Sequence, residues 1–285
     1  MRAKCAAWIT AVTLAASVAS AGATVDIWPD GAPGATGTEK TDQAILTLFP
    51  VPDAKGKTPA VLICPGGGYK HISASADIAR WFNSQGIAAF SLAYRLPVHG
   101  YRHPAPLQDA QRAMRLIRSN AAQWNLEPEK IGVMGFSSGG HVASTLSTHF
   151  DSGDPQATDP VARMKCRPDF QILMCPVVTM GPFAHVPSRV RLLGPEPAPE
   201  LLNSVSNELQ ITDRTPPTFL AHCADDGLVK VENSKLFHAA LLKAGVPAEL
   251  RIYEKGGHGT RGPDGKLLWL RDGAKWLSDR GITNG

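Results

Sequence analysis

Strand-like and helical patterns alternate along this chain, and the alternation limits the folds that it can adopt. Seven short runs are rich in the apolar and β-branched residues that favour strands. They are 44–49, 60–64, 87–92, 131–134, 171–176, 218–222 and 249–253. Helical patterns separate most of them, at 74–85, 106–124, 138–150, 231–244 and 266–280. Strands separated by helices predict an α/β fold, with a mostly parallel central sheet and helices on both faces.

The helix predicted over 106–124 has a clear apolar side. Its apolar residues recur at steps of three and four residues and form one stripe. The stripe consists of Leu107, Ala110, Met114, Ile117 and Ala121. Arg112, Arg115 and Arg118 lie mostly off the stripe. We therefore predict that these three arginines form a solvent-exposed face.

Residues 177–216 interrupt the alternation. They are rich in proline and contain only short helical patterns, at 188–193 and 200–204. Functional groups of a parallel sheet collect at the carboxyl ends of its strands. We interpret the segment as an insertion over that edge, which would form a short cap that shapes a substrate pocket. A purely structural loop is the alternative.

The segment Gly135–Gly139 reads GFSSG and joins the strand at 130–134 to the helix at 138–150. It matches the G-x-S-x-G nucleophile elbow in the strand–turn–helix context that the motif requires. The sharp turn lifts the Ser137 hydroxyl above the sheet, and Ser138 opens a helix whose first N–H groups are unpaired. We predict that Ser137 is a nucleophile and that the Ser138 amide is an oxyanion donor.

A serine nucleophile needs a general base, and the base needs a group that orients it. In folds with this elbow, an acid and then a histidine follow the serine along the chain. Asp225 and Asp226 follow the strand at 218–222, and His258 lies between glycines after the last strand. We choose Asp226 as the orienting acid because it lies at the loop tip. Asp225 is expected to bond local backbone or solvent.

A metal cluster is another interpretation of the acid loop. His222 and Cys223 stand directly before the two aspartates. However, adjacent residues of a strand point to opposite faces, and no Cys-x-x-Cys zinc spacing is present in the sequence. We predict neither a metal nor a cofactor. His141, in the first turn after the elbow, is expected to pack or to support the site.

Three consecutive glycines follow the strand at 60–64, in the sequence CPGGGY over 64–69. A phosphate-binding loop would need a following Lys-Ser or Lys-Thr pair, or G-x-G-x-x-G spacing, and neither occurs here. An elbow serine instead needs N–H donors from the loop after an earlier strand. We predict that Gly67 and Gly68 are oxyanion donors. Tyr69 and His71 are predicted to bind substrate, although a plain loop residue is the alternative for His71.

The first 23 residues have the pattern of a secretory signal peptide. Arg2 and Lys4 give a basic start, 5–19 is mostly apolar or small, and 19–23 offers a cleavage site. An N-terminal membrane anchor is the alternative, for which the apolar run is short. We expect a secreted or periplasmic protein with one domain over 24–285 and no stable membrane span after cleavage.

The mature chain is nearly neutral. Without residues 1–21, 27 basic residues face 25 acidic ones and the net charge is +2. This balance, with no basic run, argues against a nucleic-acid partner. Four cysteines remain, and Cys64, Cys175 and Cys223, at or near the ends of apolar strand-like runs, are expected to be buried. Export permits a disulfide, and Cys166–Cys175 is the first pair to test. The sequence does not indicate an oligomeric state.

Six segments together resemble one group of proteins, the α/β-hydrolase esterases described as acetyl xylan esterases or xylanase-B-like esterases. The segments are CPGGGY (64–69), LAYRLP (92–97), HPAPLQDAQRAMRLIRSNA (103–121), IGVMGFSSGGHVAS (131–144), PPTFLAHCADDGLVKVENS (216–234) and GGHG (256–259). The resemblance is colinear over roughly residues 40–280. Two residues depart from it: Lys230 stands where these enzymes often have proline after the acid loop, and Cys223 stands where glycine is common. In the glycine loop, Pro65 stands where HGGG-type motifs have histidine.

The resemblance implies an α/β-hydrolase fold, no cofactor, and release of acetyl or similar acyl groups from polysaccharides or small esters. Carried over by position, the triad is Ser137, Asp226 and His258, and the oxyanion donors are Gly67, Gly68 and Ser138. A general carboxylesterase or a feruloyl esterase is the second possibility. A non-catalytic carbohydrate- or partner-binding module is a third, but binding alone would not require all three triad residues.

Overall fold

Eight strands form one sheet in the computed structural model, which describes residues 22–283. The strands are β1 Thr24–Asp26, β2 Ile45–Phe49, β3 Thr58–Cys64, β4 Ala88–Ala93, β5 Leu126–Phe136, β6 Gln171–Met174, β7 Thr218–Cys223 and β8 Ala248–Tyr253. Their order across the sheet is β1-β2-β4-β3-β5-β6-β7-β8. Strands β3 to β8 run parallel to one another. At one side of the sheet, β2 is antiparallel to β4, and the edge strand β1 is antiparallel to β2. The predicted mostly parallel sheet is confirmed.

Seven α-helices connect or cover these strands within the described residues. They are α1 Ala76–Ser84, α2 Ala105–Ser119, α3 Ser138–Thr148, α4 Val186–Leu193, α5 Pro199–Ser204, α6 Glu232–Lys243 and α7 Leu270–Asp279. The helix predicted to reach residue 124 ends at Ser119, because the next residues turn into β5. The turn closes where the Leu126 amide donates to the Ala121 carbonyl, 2.8 Å away.

Helices cover both faces of the sheet, as predicted. Side chains alternate along β3, so that Leu62 and Cys64 pack in one apolar cluster while Val61 and Ile63 pack in another. The first cluster contains residues of α2, α3 and α6, and the second contains residues of α1 and α7. This two-sided burial explains why the central strands read as nearly continuous apolar runs.

The prediction of solvent-exposed arginines on α2 is wrong. Arg112 and Arg118 are buried, and all three arginines form ion pairs with the segment that follows α3. Arg112, Arg115 and Arg118 pair with Asp159, Asp151 and Asp169 respectively. The stripe in α2 identifies the side that faces the sheet, but it does not reveal that residues 151–169 cover part of the other side.

The four cysteines of the described chain, at positions 64, 166, 175 and 223, are all buried and unbridged. Cys166 and Cys175, the candidate pair named from the sequence, therefore do not form a disulfide. The Cys166 sulfur instead accepts a hydrogen bond from the Asp151 amide, 3.2 Å away. The thiols fill space in the core, as expected for such positions.

The predicted signal peptide lies outside the described residues except for its last two positions. Gly22 donates its amide to the Leu48 carbonyl, and Ala23 accepts from the Leu48 amide, each at 2.8 Å. Among residues 22–283, no helix is both long enough and apolar enough to cross a membrane.

His141 joins three parts of the fold. Its Nδ1 lies 2.7 Å from the Tyr69 hydroxyl after the glycine run, and its Nε2 lies 2.8 Å from the Val205 carbonyl in the inserted segment. A carbonyl only accepts, so Nε2 carries the proton and Nδ1 accepts from Tyr69. The residue is fully buried, and the packing role expected for His141 is confirmed.

We expect His141 to make stability depend on pH. Burial lowers its pKa from 6.5 to about 4, although the bond to Val205 opposes the shift. At pH values between about 4 and 6.5, His141 binds a proton in the unfolded chain but stays neutral in the folded protein. The free energy of unfolding therefore falls as pH decreases through this range, by up to about 3 kcal/mol from this residue.

The substitution His141→Gln keeps a donor and an acceptor but does not titrate. Its unfolding free energy, measured in urea at pH 7 and pH 4.5, should change less with pH than that of the wild type. Burial also lowers the pKa values of His103, His149 and His185, but these act equally in both proteins. Identical pH dependence in the two proteins would contradict the prediction.

Candidate active site

Two glycines of the elbow allow α3 to approach two strands, β5 at Gly135 and the end of β3 at Gly139. A Cβ on Gly135 would lie 2.3 Å from the Gly139 carbonyl oxygen. A Cβ on Gly139 would lie 2.0 Å from the Cys64 carbonyl oxygen. Both distances are far below a permitted contact, so the G-x-S-x-G spacing reflects close backbone approach at both glycines.

Ser137 adopts a strained backbone conformation between the strand and the helix. Its φ is 55° and its ψ is −124°, outside the favoured regions for a residue with a side chain. The turn is held because the Ser137 amide donates to the Met174 carbonyl at 3.1 Å. The Ser137 carbonyl in turn accepts from the Val177 amide at 2.9 Å. Backbone bonds thus fix the turn and leave the side chain to project from it.

The structure brings Ser137, His258 and Asp226 together, in the order predicted from the sequence. The Ser137 Oγ lies 2.9 Å from His258 Nε2, and His258 Nδ1 lies 2.7 Å from Asp226 Oδ2. An ionised carboxylate only accepts, so Nδ1 carries the proton and Nε2 can accept from the serine hydroxyl. The Asp226 side chain is fully buried, whereas that of His258 is 20% exposed. This arrangement can raise the nucleophilicity of the hydroxyl.

Asp226 stays ionised despite its burial. Burial alone would raise its pKa, but bonds from His222, His258 and the amides of Val229 and Leu228 outweigh that effect. They hold the pKa of Asp226 well below its usual range. The two amides lie 2.9 and 3.0 Å from Oδ1, which leaves Oδ2 for the histidines.

Asp225 has a different role from its neighbour. Its carboxylate accepts from the Gly256 amide at 3.3 Å and from the Gly257 amide at 2.8 Å. Asp225 therefore holds the backbone of the loop that carries His258, while Asp226 contacts the His258 ring. The backbone bonding predicted for Asp225 agrees with these contacts. The His258 ring also packs against Phe136, with 5.0 Å between ring centroids.

The glycine loop leaves several N–H groups available. The Gly66 carbonyl accepts from Ser73, and the Gly67 carbonyl accepts from Lys70, both at 3.0 Å. In a trans peptide the next N–H points away from the carbonyl, so Gly67 and Gly68 direct their N–H groups away from these bonds. Within residues 22–283, neither these amides nor that of Ser138 donates to a protein acceptor.

The same loop sits directly beside the elbow. A Cβ on Gly66 would lie 3.1 Å from the Ser137 Cβ, and one on Gly67 would lie 2.0 Å from the His71 carbonyl oxygen. Gly66 and Gly67 therefore have no room for side chains. The Pro65 carbonyl, at the loop entry, accepts from the Tyr94 hydroxyl at 2.8 Å.

The prediction that the Tyr69 side chain binds substrate is wrong. The residue is only 1% exposed, and its hydroxyl is bonded to His141. Its ring points into the core, where it supports the glycine loop from within. His71 is exposed on the loop surface, and its Nε2 lies 3.5 Å from the Ser73 hydroxyl. That position agrees better with a loop histidine than with a pocket residue.

Two residues of the inserted segment reach the site and were not predicted. The Arg191 guanidinium donates to the Gly68 carbonyl at 2.9 Å. His185 lies near His258, and burial together with that neighbour lowers the pKa of His185. The cap interpretation of 177–216 agrees with these contacts. No motif marks either residue in the sequence, since the contacts depend on how the insertion folds back.

Cys175, His222 and Asp226 are close enough to be considered as metal ligands. Their donor atoms lie within 4.8 Å of one another. However, both ring nitrogens of His222 already have hydrogen-bond partners, the Val229 carbonyl and the Ser234 hydroxyl, so neither is free to ligate an ion. The Cys223 sulfur instead faces the Lys255 carbonyl, and Asp225 holds the His258 loop. We therefore assign His222 and Asp226 to a hydrogen-bond network.

An apolar cavity of about 200 Å³ borders the site. Its lining includes Gly66 from the glycine loop, Phe136 from the elbow, and Gly259 and Thr260 beyond His258. Trp269 closes it from the side of α7. The cavity is thus adjacent to three of the four loops that carry the predicted site residues, the exception being the acid loop.

Two curated proteins are similar to this chain. The first is an endo-1,4-beta-xylanase B from Butyrivibrio fibrisolvens, 39% identical over 208 residues, or 71% of this chain. The second is an acetylxylan esterase from Xylanibacter ruminicola, 36% identical over 230 residues, or 78% of this chain. The chain spans only 32% and 44% of the lengths of these relatives.

Solved structures are similar over nearly the whole chain. An acetyl ester-xyloside bifunctional hydrolase from Caldicellulosiruptor lactoaceticus is 40% identical, with a TM-score of 0.86 over 92% of this chain and 98% of that one. A thermophilic esterase from Thermogutta terrifontis, 24% identical over 93% of this chain and 96% of that one, has a TM-score of 0.74 and shows the fold alone. The α/β-hydrolase fold is confirmed.

The BD-FAE family model matches residues 46–241, which is more than half of the chain. The match includes the glycine loop, the elbow and the acid loop. The predicted resemblance to acetyl xylan esterases and xylanase-B-like proteins is confirmed by the relatives. On this match and these similarities, the chain belongs to the BD-FAE family.

Proposed function

We propose that this chain is a carboxylic ester hydrolase that removes acetyl or other short acyl groups through Ser137, His258 and Asp226. The observation that carries the proposal is the continuous chain of short contacts from Ser137 Oγ through His258 to Asp226 Oδ2. A buried carboxylate, an oriented histidine and a strained serine turn are the groups that acyl transfer requires.

In the proposed first step, the Ser137 oxygen attacks the ester carbonyl carbon while His258 Nε2 takes the hydroxyl proton. Asp226 stabilises the imidazolium that forms. The carbonyl oxygen becomes negatively charged and accepts from the free amides of Gly67, Gly68 and Ser138. Each such donor is worth about 3 kcal/mol in the transition state. His258 then protonates the leaving alcohol, and an acyl-enzyme remains.

In the second step, His258 takes a proton from water, and the resulting hydroxide attacks the acyl carbon. The same amides hold the second oxyanion. Collapse of this intermediate breaks the bond to Ser137 Oγ, which recovers its proton from His258. The products are a carboxylic acid, an alcohol and the free enzyme, with no cofactor in the balance.

Acetylated xylan or a similar polysaccharide is the substrate class that we propose. The similarity to an acetylxylan esterase and to an acetyl ester-xyloside hydrolase favours it. A nearly neutral mature chain suits an uncharged polymer. Cleavage of the proposed signal peptide over 1–23 would place the enzyme in the periplasm or outside the cell.

The apolar cavity beside the site favours a second candidate function. An acetyl group would fill only a small part of about 200 Å³. If the cavity receives the acyl group, the chain would accept longer acyl chains or an aromatic acid. A general carboxylesterase or a feruloyl esterase is therefore the alternative.

We predict that Ser137→Ala lowers kcat on 4-nitrophenyl acetate by at least about 10⁴-fold, because the nucleophile is lost. A fluorophosphonate probe should label the wild type and not the variant. Ser147→Ala, in the same helix, deletes a buried hydroxyl that has no partner among the described residues, and should keep its activity. Near-normal activity in Ser137→Ala would contradict the assignment of Ser137 as the nucleophile. A folded wild type that resists labelling would favour a binding module.

We predict that acetate is released from acetylated xylan and that 4-nitrophenyl acetate is hydrolysed faster than the butyrate and octanoate esters. Initial rates over this series, with a feruloyl ester included, measure the preference. Ile78→Trp should fill the cavity that Ile78 lines and slow only substrates whose acyl group enters it. Rates on the butyrate and octanoate esters that equal the rate on the acetate ester would overturn the acetyl preference.

We predict that Arg191→Met lowers kcat by roughly tenfold with little change in KM, because the glycine loop loses a charge-assisted bond at Gly68. Arg189→Met is the matched control. Its guanidinium lies on the same helix but donates to the Met180 carbonyl, 3.2 Å away. Equal loss of kcat in both variants would mean that α4 acts only through its packing.

A further inference from the structure

We infer that His222 is a positioning residue, which holds the Asp226 carboxylate for His258, and that Ser234 fixes the orientation of the His222 ring. The inference rests on the proposed function, since it assigns a support to the orienting acid of that mechanism. It concerns a buried histidine that the mechanism itself does not use.

His222 lies near the end of β7 and is fully buried. Its Nε2 is 3.0 Å from the Val229 carbonyl oxygen and 3.2 Å from Asp226 Oδ2. Its Nδ1 is 2.8 Å from the Ser234 hydroxyl on α6. Both ring nitrogens therefore have partners. One of these partners, Asp226 Oδ2, is the oxygen that also contacts His258.

The partners determine where the proton of His222 resides. The Val229 carbonyl and the Asp226 carboxylate are both acceptors, so Nε2 must carry a hydrogen. The N–H is directed at Val229, and Oδ2 lies close to the same nitrogen. The Ser234 hydroxyl can donate to Nδ1, which leaves the ring neutral. The Val229 carbonyl thus selects the tautomer that presents an N–H to the acid loop, and the Ser234 hydroxyl holds the other side of the ring.

The contacts of Asp226 divide between its two oxygens. Oδ1 accepts from the Leu228 and Val229 amides, which fixes the carboxylate relative to its own loop. Oδ2 contacts both histidines, at 2.7 Å for His258 and 3.2 Å for His222. His258 lies on a partly exposed loop, whereas His222 lies in the sheet. His222 therefore ties the orienting oxygen to the rigid part of the fold.

The other titratable groups nearby do not replace this contact. Cys175, at the end of β6, lies beside Asp226, and burial raises its pKa so that it stays a neutral thiol. His185, on the inserted segment, faces the His258 side, and burial lowers its pKa. Asp225 bonds to the backbone amides of the His258 loop.

The N–H of His222 should also affect the acid limb of the pH profile. It stabilises the carboxylate, and so favours the state in which the His258–Asp226 pair has not bound an additional proton. When the N–H is removed, the carboxylate becomes more basic and the pair binds a proton at higher pH. The acid limb of kcat/KM should then move to higher pH, by up to about one unit.

The experiment compares His222→Leu, which deletes the N–H, with His222→Gln, which can place an amide N–H near the former Nε2. For His222→Leu we expect kcat to fall roughly tenfold to a hundredfold, with KM nearly unchanged and the acid limb moved up. His222→Gln should recover most of kcat and the wild-type limb. Ser234→Ala, which keeps the ring, should show a smaller change in the same direction.

Leu241→Ala controls for simple destabilisation. Leu241 is buried on α6 and contacts the core, so its truncation should lower Tm without moving the acid limb. If His222→Leu does not fold, Ser234→Ala decides the matter. The proposal is overturned if His222→Leu, or Ser234→Ala in its place, keeps the wild-type kcat and acid limb. It is also overturned if Leu241→Ala moves the limb as far as they do.

A spectroscopic readout separates this inference from the proposed function. The His258 Nδ1 proton, in its short bond to Asp226, should give a low-field proton NMR resonance in the Ser137→Ala background. We expect the resonance to shift or broaden on His222→Leu and to return on His222→Gln. An unchanged resonance would overturn the inference, even if the wild type hydrolyses esters. If the resonance shifts but the wild type hydrolyses no ester, the proposed function would be wrong and the support of Asp226 by His222 would stand.

Discussion

The close approach of β5, α3 and the glycine loop is the constraint on which the site depends. Glycine at position 135 lets β5 meet α3, and glycine at position 139 lets α3 meet the end of β3 and the start of the glycine loop. Glycine at position 66 lets the loop reach the Ser137 Cβ. A side chain at any of these positions would separate the serine from the N–H donors. The strain at Ser137 is sustained because its amide and carbonyl are both bonded to neighbouring backbone.

A buried carboxylate is the second demand that this fold must meet. Removing an ionised group from water costs several kcal/mol unless partners compensate. Asp226 meets this cost with two amides from its own loop and two histidines, one from β7 and one from the His258 loop. The same contacts that keep the group charged also fix its direction. Ionisation and orientation of the acid therefore have one physical origin.

Chain order and local chemistry predicted the sheet, the elbow and the contact between Ser137, His258 and Asp226. These features are local, since a glycine pattern or a residue after a strand reports on its own surroundings. The errors have the opposite character. The arginines of α2 are covered by residues 151–169, and Tyr69 is turned inward by its bond to His141. Both outcomes depend on segments far apart in the sequence, which periodicity does not report.

Arg191 shows the same limit and also indicates how the parts of the site are joined. Its bond to the Gly68 carbonyl connects the inserted segment to the glycine loop, and the His141 bond to Val205 connects that segment to the elbow helix. A movement of the insertion would therefore displace both the glycine loop and the elbow helix, which flank Ser137. The insertion belongs to the mechanical support of the site as well as to its cover.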